Sequence, residues 1–461
     1  MLYEFRVGNY LSYKDIQGIR MAPVLPREAS EKGTKYGPVS NLMFLYGPNA
    51  SGKSNIVKAI EFARQIVYEG FCDKVDQFYE RNQIETCPSY FEFVFDMPEF
   101  GDGNIYSYGF EINASGGYFE SEWLCNLSAK EDKFLYQISN EDADPKGEML
   151  GLPIVFSRID PNFPEFNMSW NDQLIEDLEY NNNMFWPIQI NQIDYPELKE
   201  LKNLWKKVRK YISESILVKI GNALEDDVLL IDYGVSVGEF NDFLNAMNTN
   251  TILPAEMCID YWEDETKDKF MLFYESHPEF LEYILYKLSF KNDDGRHDIE
   301  VNAPQNKVYF LRKPNFANPK THLYAQSSGT YRMLYLVTLL FLASKREKKN
   351  LSTTFVIDEI ECNLNSNNLL GFLKEYCKSN FNHTQLIVTT HESRILEEEY
   401  ADRDTVSFVQ RKFGSLGESE IYALRCFGNT PIYSTVDYLD NRFGSMPTFK
   451  QPVFERPHNA N

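Results

Sequence analysis

The sequence feature that most constrains the fold is a glycine-rich loop between an apolar run and an amphipathic stretch. The apolar run 42–46 predicts a buried strand, and apolar residues recur at helical spacing over 56–67. The loop between them fits G-x-x-x-x-G-K-[ST], from Gly47 to Ser54. The backbone N–H groups of such a loop meet a helix N-terminus, where an anion is favoured. The sequence therefore predicts a site for the phosphates of a nucleoside triphosphate.

The residue types in this loop predict roles around ATP. Backbone N–H groups would surround the phosphates, Lys53 would reach the terminal ones, and the Ser54 hydroxyl would ligate Mg²⁺. We assign eight ATP-binding residues to the loop and the first turn of the helix: Gly47, Asn49, Ala50, Ser51, Gly52, Lys53, Ser54 and Asn55.

A second apolar strand, 353–357, ends in two acids with different expected roles. Asp358 would hold Mg²⁺, directly or through water, and Glu359 would orient and deprotonate the water that attacks the γ-phosphate. A predicted helix over 369–376 and a strand over 385–391 follow, which gives a βαβ unit. That strand would bring His391 to the same sheet edge, so we assign Glu359 and His391 as catalytic and Ser54 and Asp358 as metal ligands.

Small residues begin another predicted helix, which lies in the sequence between the glycine-rich loop and the strand that ends in two acids. The string 326–332 reads Q-S-S-G-T-Y-R and precedes an apolar helix predicted over 333–343. Taken alone, it would be read as a serine N-cap. The order of all four segments is that of ABC-type ATPases, in which the Ser-Gly element completes the site of a second subunit. We therefore expect Ser328 and Gly329 to contact phosphate in trans.

Motifs at both ends carry a closer resemblance. The opening 7–13 is similar to N-F-L-S-F, 417–422 to G-E-S-E-L-Y, and 442–447 to R-Y-G-A-x-P. With Arg332 and the segments above, the chain resembles the ABC-type ATPases of bacterial abortive infection and anti-phage defence, the AbiLi-like group related to OLD, Septu and PARIS ATPases. One position departs: Asn365 stands where the family has a histidine, which leaves hydrolysis rate and cross-subunit communication open.

Since the sequence has no long apolar run and no signal-peptide pattern, we expect a cytoplasmic protein. The resemblance implies a slow, regulatory ATPase that uses ATP and Mg²⁺. It implies a dimer or higher homo-oligomer built on ATP sandwiches, an effector protein encoded nearby such as a nuclease, and a phage protein as trigger. ATP would close the assembly, and hydrolysis would loosen it. The chain shows no second acid cluster that would mark a fused nuclease.

The order of elements predicts an α/β fold: a P-loop NTPase of ABC-ATPase type, with two lobes, an antiparallel β layer and an inserted helical region. Period-two alternation over 90–95 and 106–112 predicts the antiparallel layer. Helical signals over 198–224 and 278–287 predict the insertion. The expected boundaries are 1–165 for the first lobe, 166–300 for the insertion, 301–450 for the second lobe and 451–461 for a tail.

Charge and composition bear on the competing functions. A net charge of −22 argues against indiscriminate binding of duplex DNA, and the basic stretch 199–210 reads as a solvated helix face. A DNA-clamping repair ATPase remains the main alternative, and it would show DNA-stimulated hydrolysis. A transporter ATPase needs a membrane partner, whereas no apolar run here approaches eighteen residues. Tyr10 and Tyr13 could stack on adenine or belong to the core.

Overall fold

The computed structural model describes the following residues of the chain. They are 1–23, 36–69, 87–101, 103–113, 118–128, 133–140, 154–159, 199–219, 299–302, 307–311, 320–322, 329, 332, 336, 339–340, 343, 346–401, 404–412, 415, 417–424 and 438. The predicted helix 278–287, the motif 442–447 and the tail 451–461 lie outside this set.

Strands dominate the described residues. They are β1 (Leu2–Gly8), β2 (Gln17–Arg20), β3 (Leu42–Tyr46), β4 (Ser89–Asp96), β5 (Ile105–Asn113), β6 (Tyr118–Asn126), β7 (Lys133–Asn140), β8 (Ile154–Ile159), β9 (Ile216–Lys219), β10 (Ile299–Asn302), β11 (Lys307–Leu311), β12 (Lys320–His322), β13 (Thr353–Ile357), β14 (Thr384–Thr390), β15 (Val406–Arg411) and β16 (Ser419–Ala423). The α-helices that are described from end to end are α1 (Lys53–Glu69), α2 (Lys199–Lys210) and α3 (Ser366–Lys378). None of the helices in the described part is long and apolar enough to cross a membrane.

A six-stranded sheet contains the strands that carry the sequence motifs. Its order is β16-β15-β3-β14-β13-β9, and all neighbours are parallel except β15 and β16. Every residue of β3, β13 and β14 is buried. Strands covered on both faces read as continuous apolar runs, which is why these three are easily found in the sequence.

A seven-stranded antiparallel sheet packs on the other side of α1. Its order is β2-β1-β4-β5-β6-β7-β8, and β4 and β5 are the two alternating segments expected from the sequence. One hydrophobic core joins this sheet, α1 and the near face of the parallel sheet. The predicted combination of an α/β P-loop fold with an antiparallel layer is confirmed. A separate three-stranded sheet has the order β10-β11-β12.

Gln385 links the two large sheets from within β14. Its side chain is fully buried. Oε1 accepts hydrogen bonds from the Leu2 N–H at 2.6 Å and from the Thr354 hydroxyl at 2.9 Å. Nε2 donates to the carbonyls of Leu2 at 2.9 Å and Ser40 at 3.0 Å. The amide thus pairs with β1 as a backbone group would, and it fixes how one sheet meets the other.

We expect Gln385→Leu to lower the free energy of unfolding by about 3 kcal/mol, because it leaves buried backbone groups of Leu2 and Ser40 unpaired. The measurement is the urea midpoint at constant slope. Gln410→Leu is the matched control, since Gln410 is partly exposed and bonds only other side chains. Equal shifts in the two variants would contradict the linking role of Gln385.

The structure differs from the helical expectation over 198–224. The helix α2 covers only the first part, a π-helical turn covers Tyr211–Ser215, and β9 follows as an edge strand parallel to β13. The reason is the run Ile216, Leu217, Val218, which is buried against the parallel sheet. The domain boundaries remain a prediction, since 160–198 and 220–298 lie outside the described residues.

Candidate nucleotide-binding and hydrolysis site

Three strand ends meet at one edge of the parallel sheet. The strands β3, β14 and β13 are parallel neighbours, with Tyr46 opposite Thr390 and Ile357 opposite Val388. Their carboxyl ends therefore lead to the phosphate loop, His391 and Asp358 at the same edge. Ligands of open α/β sheets bind at such edges.

The two outer glycines of the loop lie where no side chain fits. A Cβ at Gly47 would stand 2.1 Å from the carbonyl oxygen of Val409 in β15. Gly52 has φ +113°, and its Cβ would stand 2.3 Å from Ser419 Oγ. Both glycines therefore pack closely on their neighbours, which fixes the backbone of the loop ahead of α1.

Both ends of the chain brace this loop. The Ser419 hydroxyl donates to the Ser51 carbonyl at 2.5 Å and lies 2.8 Å from Ser12 Oγ. The Tyr13 hydroxyl donates to the Gly52 carbonyl at 2.8 Å. Ser12 and Ser419 belong to the terminal motifs 7–13 and 417–422, which carry the family resemblance but predicted no contact. The structure places them against the phosphate loop.

Lys53 opens α1 and lies between the loop and the acids. Its Nζ donates to the carbonyls of Gly47 at 2.7 Å and Pro48 at 3.1 Å, and the residue is 5% exposed. Burial lowers the pKa of Lys53 to about 8, although the charges of Asp358, Glu361 and Glu359 act to raise it. A desolvated ammonium group close to three carboxylates is suited to bind the anionic end of a nucleotide.

The turn after β13 is held by hydrogen bonds on both sides. Asp358 is 3% exposed, and its Oδ1 accepts from the Thr389 hydroxyl at 2.5 Å. The same hydroxyl accepts from the Glu359 N–H at 2.7 Å. Glu359 has φ +48°, a left-handed conformation that is uncommon outside glycine. Such strain persists where the surroundings fix it, and it is frequent at catalytic sites.

Arg332 connects this turn to the predicted Ser-Gly helix. Gly329 and Arg332 are both helical, and the Arg332 guanidinium donates to the carbonyls of Glu359 at 3.0 Å and Asp358 at 3.4 Å. Arg332, which follows Gly329 closely in the sequence, is therefore bonded to the acidic turn of its own chain. Ser328 lies outside the described residues.

His391 follows β14 and lies near Lys53 and Asp358. Burial lowers the pKa of His391 to about 4, the charge of Lys53 lowers it further, and Asp358 opposes both. The imidazole is therefore neutral at pH 7 and has one donor and one acceptor nitrogen. Its backbone N–H donates to Glu361 Oε1 at 2.7 Å.

The structure shows contacts for several positions whose roles the sequence left open or did not indicate. Asn365 is the N-cap of α3, and its side chain accepts from the Asn367 N–H at 2.8 Å. Tyr10 and Tyr13 are buried, which places both in the core; Tyr10 packs on Phe62 with ring centroids 5.2 Å apart.

Sequence reasoning missed Thr389 and Glu361, because their contacts with Glu359 and His391 form only when two strand ends are brought together.

Two oxygen-bearing side chains near the phosphate loop are of the kind that bind magnesium together with a nucleotide. Among the described residues, no group of three or more His, Cys, Asp or Glu side chains could hold a metal by itself. Mg²⁺ is commonly bound by one or two protein oxygens together with substrate phosphates. The half-buried Ser54 offers such an oxygen beside the loop, and Asp358 offers one at the acidic turn.

Comparison with protein families decides the class. Residues 42–148 and 191–397 match the family described as "AAA domain, putative AbiEii toxin, Type IV TA system", which is more than half of the chain. The chain belongs to this family. The family match and the structure agree on an AAA-type P-loop domain with an α/β fold.

Solved structures similar to this AAA-domain protein include heads of SMC proteins. The SMC head domain from Thermotoga maritima is 16% identical, covering 92% of this chain and 98% of that one, with a TM-score of 0.36. The Pyrococcus furiosus SMC head with an extended coiled coil, bound to the C-terminal domain of ScpA, is 14% identical, covering 96% and 99%, with a TM-score of 0.40. No curated protein matches the chain.

Proposed function

We propose that the protein is the ATP-binding and ATP-hydrolysing subunit of a bacterial anti-phage defence system, of the AbiLi-like group. In this role it is a nucleotide-gated switch that holds or releases a toxic effector such as a nuclease. The observation that carries the ATPase part is the meeting of Lys53, Asp358, Glu359 and His391 at one sheet edge. The family description, which names a toxin and a type IV TA system, supports a role in defence.

Each residue at this edge has a proposed task in hydrolysis. The loop N–H groups and Lys53 bind the phosphates, and Ser54 and Asp358 hold Mg²⁺, which neutralises phosphate charge when bound. Glu359 accepts the proton of the attacking water. Neutral His391 donates a hydrogen bond toward the γ-phosphate. The contacts of Thr389 and Arg332 keep Glu359 in its strained conformation, so that its carboxylate is oriented before ATP arrives.

The proposed switch is closure of two copies on two ATP molecules. Ser328 and Gly329 of one copy cap the phosphates bound by the other. Because Arg332 joins the Gly329 helix to the acidic turn, a change at the turn after hydrolysis would alter the cap as well. ATP would then favour the closed assembly, and loss of the γ-phosphate would release it.

The effector claim is tested by coexpressing tagged Glu359→Gln protein with its neighbouring genes and sizing the complexes by native mass spectrometry with ATP and Mg²⁺. We expect a neighbouring gene product to copurify, and to be lost from Lys53→Ala protein, which should not close. If no neighbour copurifies with either variant, the effector-holding role is wrong.

DNA-stimulated hydrolysis would favour the clamp alternative. The basic face of α2 offers it limited support, because three of its six cations have partners within the described part of the chain. Lys207 lies 5.0 Å from the ring centroid of Phe100, and Arg209 donates to the Tyr68 carbonyl at 2.6 Å. Lys210 lies 3.9 Å from Glu214. These contacts fit the interpretation of α2 as a solvated helix face.

A further inference from the structure

Glu361 is a partly buried acid in the turn between Glu359 and helix α3. Its Oε1 accepts the His391 N–H at 2.7 Å. Its Oε2 is buried and has no hydrogen-bond partner among the described residues. Burial, together with the charge of Glu359, raises the pKa of Glu361 above its usual range. A carboxylate kept in such a position is costly unless the site uses it.

The contacts of β14 show what Glu361 adds. Two hydrogen bonds join Thr389 to the acidic turn. The Ile360 N–H donates to the Thr389 carbonyl at 3.1 Å, and the Glu359 N–H donates to the Thr389 hydroxyl. After Thr390, the last residue of β14, the chain leaves the sheet. There the carboxylate of Glu361 receives the backbone N–H of His391, so the next residue is fixed to the same turn.

The charge of Glu361 acts on Lys53, which indicates that Glu361 lies close to the phosphate-binding residues. Lys53 experiences the charge of Glu361 as well as those of Asp358 and Glu359, and His391 experiences the charges of Lys53 and Asp358. Glu361 is therefore close to the group that meets the phosphates, while its hydrogen bond goes to the backbone of the histidine. It can hold His391 without occupying the place of a substrate.

We propose that Glu361 is a positioning residue for ATP hydrolysis: its carboxylate anchors the backbone of His391 so that the imidazole stays beside Lys53 and Asp358. This inference rests on the proposed role of His391. Glu361 acts through His391, so ATP binding itself should not depend on it.

The first test needs no turnover. Hydrogen exchange at the His391 amide, followed by mass spectrometry of the nucleotide-free protein, should be slow in the wild type and at least about tenfold faster in Glu361→Ala. Glu361→Gln keeps an acceptor oxygen, so its exchange should stay close to that of the wild type. Unchanged exchange in Glu361→Ala would overturn the proposal.

The second test is a double-mutant cycle with His391→Ala. We expect Glu361→Ala to lower kcat by about 10- to 100-fold while the Kd for ATP stays within about twofold, because only orientation is lost. In the His391→Ala background, the same substitution should change kcat by less than about twofold. Glu361→Gln should retain most of the activity.

The outcomes separate this inference from the proposed function. A full additional loss in the His391→Ala background would mean that Glu361 acts independently of His391, and the positioning role would be wrong. If His391→Ala alone leaves kcat unchanged, the proposed role of His391 fails, whereas the exchange experiment still decides whether Glu361 anchors its backbone.

Discussion

Lys53→Ala should lose at least about 100-fold in affinity for ATP, because a buried ammonium group that meets the terminal phosphates makes charge-assisted hydrogen bonds. In the structure, Lys53 lies over the loop carbonyls of Gly47 and Pro48 and close to the acids of the opposite strand end. Equilibrium binding of ATP with Mg²⁺, measured by calorimetry, gives the affinity directly.

Lys58→Ala is the matched control for this substitution. Lys58 lies on the same helix, five residues further along, and its side chain is exposed. Its replacement removes one positive charge without touching the loop, so the affinity should change by less than about twofold. Unchanged affinity in Lys53→Ala would show that the nucleotide site lies elsewhere.

Glu359→Gln should bind ATP with wild-type affinity and hydrolyse it at least about 100-fold more slowly, as expected for loss of a general base. The described contacts of Glu359 with Thr389 and Arg332 use its backbone N–H and carbonyl. The amide variant therefore keeps the turn and removes only the proton acceptor. Single-turnover hydrolysis, with bound ATP measured separately, distinguishes the two effects.

The control for this variant is Glu399→Gln, an exposed acid beyond the site. It makes the same chemical change at the surface, so hydrolysis should stay within about twofold of the wild type. A Glu359→Gln protein that turns over at the wild-type rate would remove Glu359 from the mechanism and leave His391 as the first residue to test.

The loop, the strand before it and the acidic strand could be predicted from the sequence because their signals are local. A fully buried parallel strand is a short continuous apolar run, and the phosphate loop has a fixed spacing of glycines and lysine. The order of the motifs then indicated that His391 and Asp358 share an edge. The bounds of β3 and β13 agree with the predicted runs 42–46 and 353–357.

The parts that sequence reasoning missed depend on contacts between distant segments. Ile216–Lys219 resembles a continuation of α2 until β13 is present as its neighbour. The bonds from Thr389 to the acidic turn, and from Glu361 to His391, link residues about thirty positions apart. The role of Asn365 could not be predicted for another reason. The comparison with the family drew attention to the missing histidine, whereas in the structure the Asn365 side chain caps α3.

The most direct test of the nucleotide-gated switch is the mass of Glu359→Gln protein in sedimentation velocity with and without ATP and Mg²⁺. We expect the assembly to double in mass when ATP is added. Adding Gly329→Asp should prevent doubling while each chain still binds ATP, because a carboxylate would meet the partner's phosphates. If Glu359→Gln binds ATP fully and keeps the same mass, two copies do not close on ATP and the switch is wrong.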